Sequence, residues 1–167
     1  MRAPSQILLL AVVAAAFGCS QSIRPGATPS LGDDTGIVVL VVDTDTPLRD
    51  VTFNQVDTFD GFKIDYADRG RSVHLFEVDA ERYRLTGFDS GSQELTPEAG
   101  GELCVLVKAG QLNYPGHFVY RNSEQKKGFR TYANWQWRQD EEDMKRRVTI
   151  EWTDLLASYP VKSTACP

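Results

Sequence analysis

The side chains able to do chemistry are few in these 167 residues: two histidines, three cysteines and a scatter of paired aspartates. His74 and His117 each fall in a strand-like run, and neither sits at a spacing that suggests a zinc site. Both read as exposed or hydrogen-bonded strand residues. No serine stands in a nucleophile-elbow sequence, and no glycine-rich phosphate loop follows a strand. The expectation is a protein that is not an enzyme and holds no cofactor and no metal. Asp43 and Asp45, Asp57 and Asp60, and Asp65 and Asp68 crowd into strand ends and turns. Calcium takes oxygens from such loops, yet no twelve-residue loop pattern is present, and turn aspartates usually bond their own backbone.

Cys19 is the most suggestive of these residues because of what precedes it. Arg2 is followed by Ile7 to Phe17 without a polar side chain, then by Gly18. Eleven apolar residues make a helix of about 16 Å, short of the ~30 Å of hydrocarbon that a spanning helix crosses. A positive start, a short apolar run and small residues before a cut site are the parts of a secretory leader, expected over residues 1–18. Ala16, Gly18 and Cys19 in "AFGC" resemble the lipobox of bacterial lipoproteins. It differs at Ala16, where leucine is commoner, and at Phe17, where a small residue is commoner. The resemblance implies diacylglycerol on the Cys19 sulfur, membrane attachment through that lipid, and, from Ser20 in the next position, an outer rather than an inner membrane. With Cys19 lipidated, Cys104 and Cys166 remain as one pair that an oxidising envelope lets close.

Residues 19–36 are rich in proline and glycine and poor in anything to bury, so they are expected as a flexible tether. Residues 37–167 have the size of one domain. Eighteen Lys and Arg against 23 Asp and Glu give a formal charge of −5, which becomes −6 once Arg2 leaves with the leader. That balance argues against nucleic acid, and against anionic headgroups, as partners of the whole surface.

The elements that must position these residues are mostly strands. Ile37 to Val42 is a run of six apolar residues, five of them β-branched, expected as a strand covered on both faces. Alternation recurs at Phe62, Ile64 and Tyr66, at Val73 and Leu75, at Tyr83 and Leu85, and at Leu103, Val105 and Val107. Short strands at such spacing predict a mainly β chain, an antiparallel β-sandwich. Leu112 and Tyr114 share a face before Pro115 and Gly116, where a strand should kink at an edge or corner. "RYRL" followed by Gly110, Tyr114 and Gly116 resembles small uncharacterised bacterial envelope proteins with a β-sandwich, over residues 37–121. That likeness implies a fold and no chemistry.

Trp135 and Trp137 alternate in "TYANWQWR", either as packing or as a sugar-stacking platform. A C-terminal amphipathic helix should follow, capped by Asp140 and stopped by Pro160, with Met144, Val148, Trp152 and Tyr159 on its apolar side. A strand over residues 148–152 is the competing reading. The helix carries three acid-before-base pairs, Glu141 to Lys145, Glu142 to Arg146 and Asp143 to Arg147, so the basic cluster Lys145 to Arg147 reads as paired surface rather than an anion site. The tryptophan face and the helix stripe are expected to cover each other. Function is expected to be that of a noncatalytic envelope lipoprotein that meets another envelope protein, with glycan or cell-wall-fragment binding by Trp135 and Trp137 as the alternative.

Overall fold

The computed structural model describes residues 20–97, 103–127 and 130–166, so the leader and Cys19 lie outside the described residues. In chain order the strands are β1 (Gln21–Ser22), β2 (Thr35–Thr44), β3 (Leu48–Gln55), β4 (Gly61–Ala67), β5 (Gly70–Asp79), β6 (Arg82–Ser90), β7 (Gln93–Leu95), β8 (Cys104–Leu106), β9 (Leu112–Tyr114), β10 (His117–Lys127) and β11 (Arg130–Arg138). Two helices, α1 (Glu141–Glu151) and α2 (Leu155–Ser158), precede β12 (Val161–Ser163).

The strands form two sheets packed as a sandwich. The smaller runs β4-β3-β6-β7, with β8 also on β6, and is antiparallel throughout. The larger runs β1-β5-β2-β10-β11 and is mixed, because β10 and β9 both lie parallel to β2 and β12 lies parallel to β9. The sandwich expectation holds, while strict antiparallel pairing holds only in the smaller sheet.

β2 is the middle of the molecule. Val38, Leu40 and Val42 point into the core between the sheets, Ile37, Val39 and Val41 point to the opposite face under the helices, and all six are fully buried. That is why the run lacks polar interruptions. Each such side chain contributes about 1.5–3 kcal/mol when fully removed from water. On the helix side it meets Met144 and Val148 of α1, then Trp152 and Leu155. The result is three layers: smaller sheet, larger sheet, helices.

The kink at Pro115 and Gly116 is present but is not at an edge. β9 pairs with β2 at Ile37 and Val38, β10 pairs with it from Val41 to Thr44, and the proline falls in the gap between them. A residue without an N–H costs nothing where the ladder is already interrupted. Gly116 has φ +130°, and a Cβ there would lie 3.2 Å from the Arg138 carbonyl oxygen.

Cys104 and Cys166 are joined by a disulfide, with Cα atoms 5.4 Å apart across 62 residues of chain. Closing a loop of that length stabilises a fold by about 4 kcal/mol on the chain-entropy account. The tail it holds passes between the sheets' edges: Thr164 N–H donates to Tyr114 O, and Leu106 N–H donates to Thr164 O.

Two expectations need correction here. The segment after Ser20 is not a free tether. Ser20 Oγ donates to Gly61 O at 2.6 Å, β1 pairs with β5 at Phe76 and Glu77, Ile23 is buried, and Trp152 Nε1 and Tyr159 OH donate to the carbonyls of Arg24 and Pro29. Two prolines and three glycines loosen residues 20–36, but two apolar residues, Ile23 and Leu31, suffice to lay the segment on the helices. The expected single helix is in turn two. Residues 148–151 are helical as expected, against the strand reading, but the helix stops at Trp152, whose ring turns into the core, and restarts at Leu155. Pro160 follows α2, as expected.

Candidate functional site

Alternation along β2 places Asp43 on the same face as Ile37, Val39 and Val41, one step past where the helices end their cover. The strand registers then decide its neighbours. Arg71 of β5 stands directly opposite Asp43, while His117 of β10 is opposite both Val41 and Arg138 of β11. Arg121 lies four pairs further along β10. Above them sits the first turn of α1, where the Asp140 side chain caps the Asp143 N–H at 3.2 Å and the Asp140 N–H donates to Tyr114 OH at 3.1 Å.

The ionic contacts are dense. Asp43 accepts from Arg71 Nε at 2.9 Å, Arg121 at 2.7 Å and Arg138 at 2.8 Å. Asp143 accepts from Arg147 Nε at 2.7 Å, from Arg146, and from Arg71 at 3.4 Å. Arg71 thus ties the sheet's aspartate to the helix's. Burial alone would raise the pKa of both carboxyls, but arginine hydrogen bonds outweigh it. Asp43 is lowered by Arg121 and Arg71, and Asp143 falls to about 2 through Arg147 and Arg146. Both aspartates are therefore ionised, buried and engaged. The five guanidiniums are not hidden, since their side chains are 30–69 % exposed.

His117 is fully buried beside them, its ring edge-on to Tyr114 at 5.9 Å. Nε2 lies 3.8 Å from Asp143, beyond hydrogen-bond range, and neither ring nitrogen has a hydrogen-bond partner among the described residues. Burial lowers its pKa, with Asp143 and Asp140 opposing, so the ring is neutral at pH 7. The expectation of an exposed or hydrogen-bonded His117 fails, because its strand phase points it beneath α1. His74 does bond, to Ser72 Oγ at 2.9 Å.

His117, Asp140 and Asp143 bring three possible metal-ligand atoms within 4.8 Å of one another. The trio does not suit a cation, because the Asp143 carboxylate already faces three guanidiniums. It does not suit acid–base work either, since a carboxyl titrating near 2 is a weak base at neutral pH. What the arrangement offers is a surplus of guanidinium donors on an otherwise acidic domain.

Of the residues singled out in the sequence, Asp43, His117, Asp140, Asp143 and the basic cluster meet here, and the others fall elsewhere. Trp135 and Trp137 are half-buried and pack into the core between the sheets, on the side away from the helices. Trp137 meets Phe53 and Phe118 at 6.2 Å, and Trp135 meets Phe88 at 5.6 Å. They are packing residues, but their partner is the smaller sheet rather than the helix stripe, which covers Ile37, Val39 and Val41 instead. Lys145 pairs with Glu141 as expected, whereas Arg146 pairs with Asp143 in place of Glu142. Asp68 accepts from the backbone N–H of Arg69, the turn role foreseen for such residues. Sequence reasoning passed over Arg71, Arg121 and Arg138. The available signal was Asp43 itself, a charge in phase with a buried apolar stripe.

No protein-family model matches the chain, and searches of curated proteins and of solved structures return no match.

Proposed function

We propose that this chain is a noncatalytic lipoprotein of a bacterial cell envelope, anchored through lipid on Cys19, and that it meets a partner with the arginine-bearing face of the larger sheet. The observation that carries the reading is the lipobox-like "AFGC" that ends the apolar leader one residue before the chain docks on the domain at Ser20. Five arginines gathered on one open face of an acidic protein support a binding role for that face. The tryptophans gain no support as a glycan platform, since aromatic neighbours in the core already meet their rings.

Metabolic labelling with palmitate tests the anchor. The wild type should take up label and Cys19→Ser should not; label retained by Cys19→Ser would overturn the assignment.

A further inference from the structure

We propose that the arginine face is an oxyanion site that takes a phosphate group, through guanidinium edges which Asp43 and Asp143 leave free. The proposal deepens the binding role assigned above to this face.

Five guanidiniums carry about twenty-five N–H donors, and two carboxylates offer about eight lone-pair sites. Most of the donors are therefore left for solvent or a ligand. Arg121 spends one terminal nitrogen on the carbonyls of Asp43 and Tyr120 and the other on the Asp43 carboxylate, and Arg146 reaches Asp143 with one terminal nitrogen while most of its side chain stays exposed.

The arginines are also more than the fold needs. If the cluster served only to pin α1 to the sheet, Arg71 would be enough, since it contacts Asp43 and Asp143 together. Four further arginines repel one another and Arg71 at close range. An anion relieves that repulsion.

One donor of the cluster also lacks a partner. Arg138 Nε is buried with no hydrogen-bond partner among the described residues, in a side chain that is otherwise 39 % exposed on this face. A desolvated, unpaired donor is costly unless something completes it.

Phosphate is favoured over a single carboxylate because planar guanidiniums grip it in forked pairs and several can share its oxygens. The face is open surface. Among the described residues, two concave sites lie away from it, one of about 600 Å³ beside Ile23, Thr28 and Glu77, another of about 410 Å³ beside Asp50, Asp89 and Glu94. An open face suits a phosphate that protrudes from a larger body or arrives as a small ion, and the two sources can be told apart.

The test titrates the full chain, purified in a neutral detergent, with pyrophosphate and separately with dihexanoyl phosphatidic acid, dihexanoyl phosphatidylcholine serving as the control lipid. Calorimetry at low salt should show saturable binding that weakens as KCl is added. Pyrophosphate binding assigns a free phosphate as the recognised group, and phosphatidic acid binding alone assigns a lipid headgroup; either supports the site. Arg121→Gln with Arg146→Gln should weaken binding about tenfold or more, as expected for lost charge-assisted hydrogen bonds. Arg49→Gln, on an exposed position of the smaller sheet, should not. Circular dichroism checks that the double variant folds, and Arg146→Gln alone serves if it does not, because Asp143 keeps Arg147 and Arg71. Heat absent for both ligands with folded wild type, or equal affinity in the variant, overturns the proposal. Palmitate labelling is a separate readout, so loss of the anchor reading leaves this outcome interpretable.

Discussion

The two faces of the larger sheet are made by alternate residues of the same strands, yet they are held by different physics. The face toward the smaller sheet is mostly hydrocarbon and aromatic ring, from Val38 and Phe76 through Phe118 and Tyr120 to the two tryptophans of β11, with His74 opposite Leu40 among them. The face toward the helices is apolar for only half its length and then becomes ionic at Asp43, Arg71, Arg121 and Arg138. A surface that must be covered by its own chain is built from groups indifferent to what lies opposite. The ionic half, under the first turn of α1, is built from charged groups that fix one another's positions by hydrogen bonds.

The largest effect should come from the aromatic face. Trp137→Ala, judged by urea denaturation, is expected to lose about 3–5 kcal/mol with little dependence on salt. A loss below about 1 kcal/mol would mean that the two faces are not as different as described.

A second test asks which face titrates. Burial lowers the pKa of His74, on the aromatic side of β5, to about 4. His117, on the ionic side, is lowered by burial too, but Asp143 and Asp140 oppose the shift. The sign follows directly: between its unfolded and folded pKa the histidine binds more protons unfolded, so stability is complete above the unfolded value of about 6.5 and is lost as pH falls toward 4. Going from pH 7 to pH 5 should cost about 2 kcal/mol through His74, and His74→Gln should remove most of that slope in paired urea melts. The depressed aspartates contribute nothing to this window, because their stabilisation is present above about pH 4 and fades only as pH falls through the folded value, near 2 for Asp143. A slope that survives His74→Gln but disappears in His117→Gln would reverse the comparison.

The smallest effect concerns the cap that seats α1 over the ionic half. Asp140→Ala should cost about 1 kcal/mol of thermal stability, and Asp140→Asn much less. Equal losses would indicate that the charge of Asp140 matters more than its capping bond.

Much of the sandwich was legible because alternation is local. β4, β5, β6 and β8 each show it in their own residues, and β2 is marked instead by its unbroken apolar run. β3 was not legible, since Leu48, Val51 and Phe53 are buried at a spacing of three and then two, with a register shift between Arg49 and Thr52 and Asp50 at φ +50°. A bulge spoils the period that reveals a strand. The ionic site was hidden for a different reason. Its arginines come from β5, β10, β11 and α1, and only the pairing of strands far apart in sequence brings them together. The docked N-terminal segment was missed because average composition conceals two apolar residues among the prolines and glycines.

The place of β2 at the middle of the larger sheet also sets an order of assembly. Its first neighbour, β5, follows soon after in the chain, but the other flank is filled by β9 and β10, in parallel, by residues as late as Tyr120. Pairings that close such long loops form slowly. Until they do, six aliphatic residues with strand propensity and no charge present an open edge, the kind of segment that pairs with its like in another chain. Refolding yield should therefore fall steeply as protein concentration rises. A newly made chain is at its most vulnerable in the interval between completing β5 and completing β10.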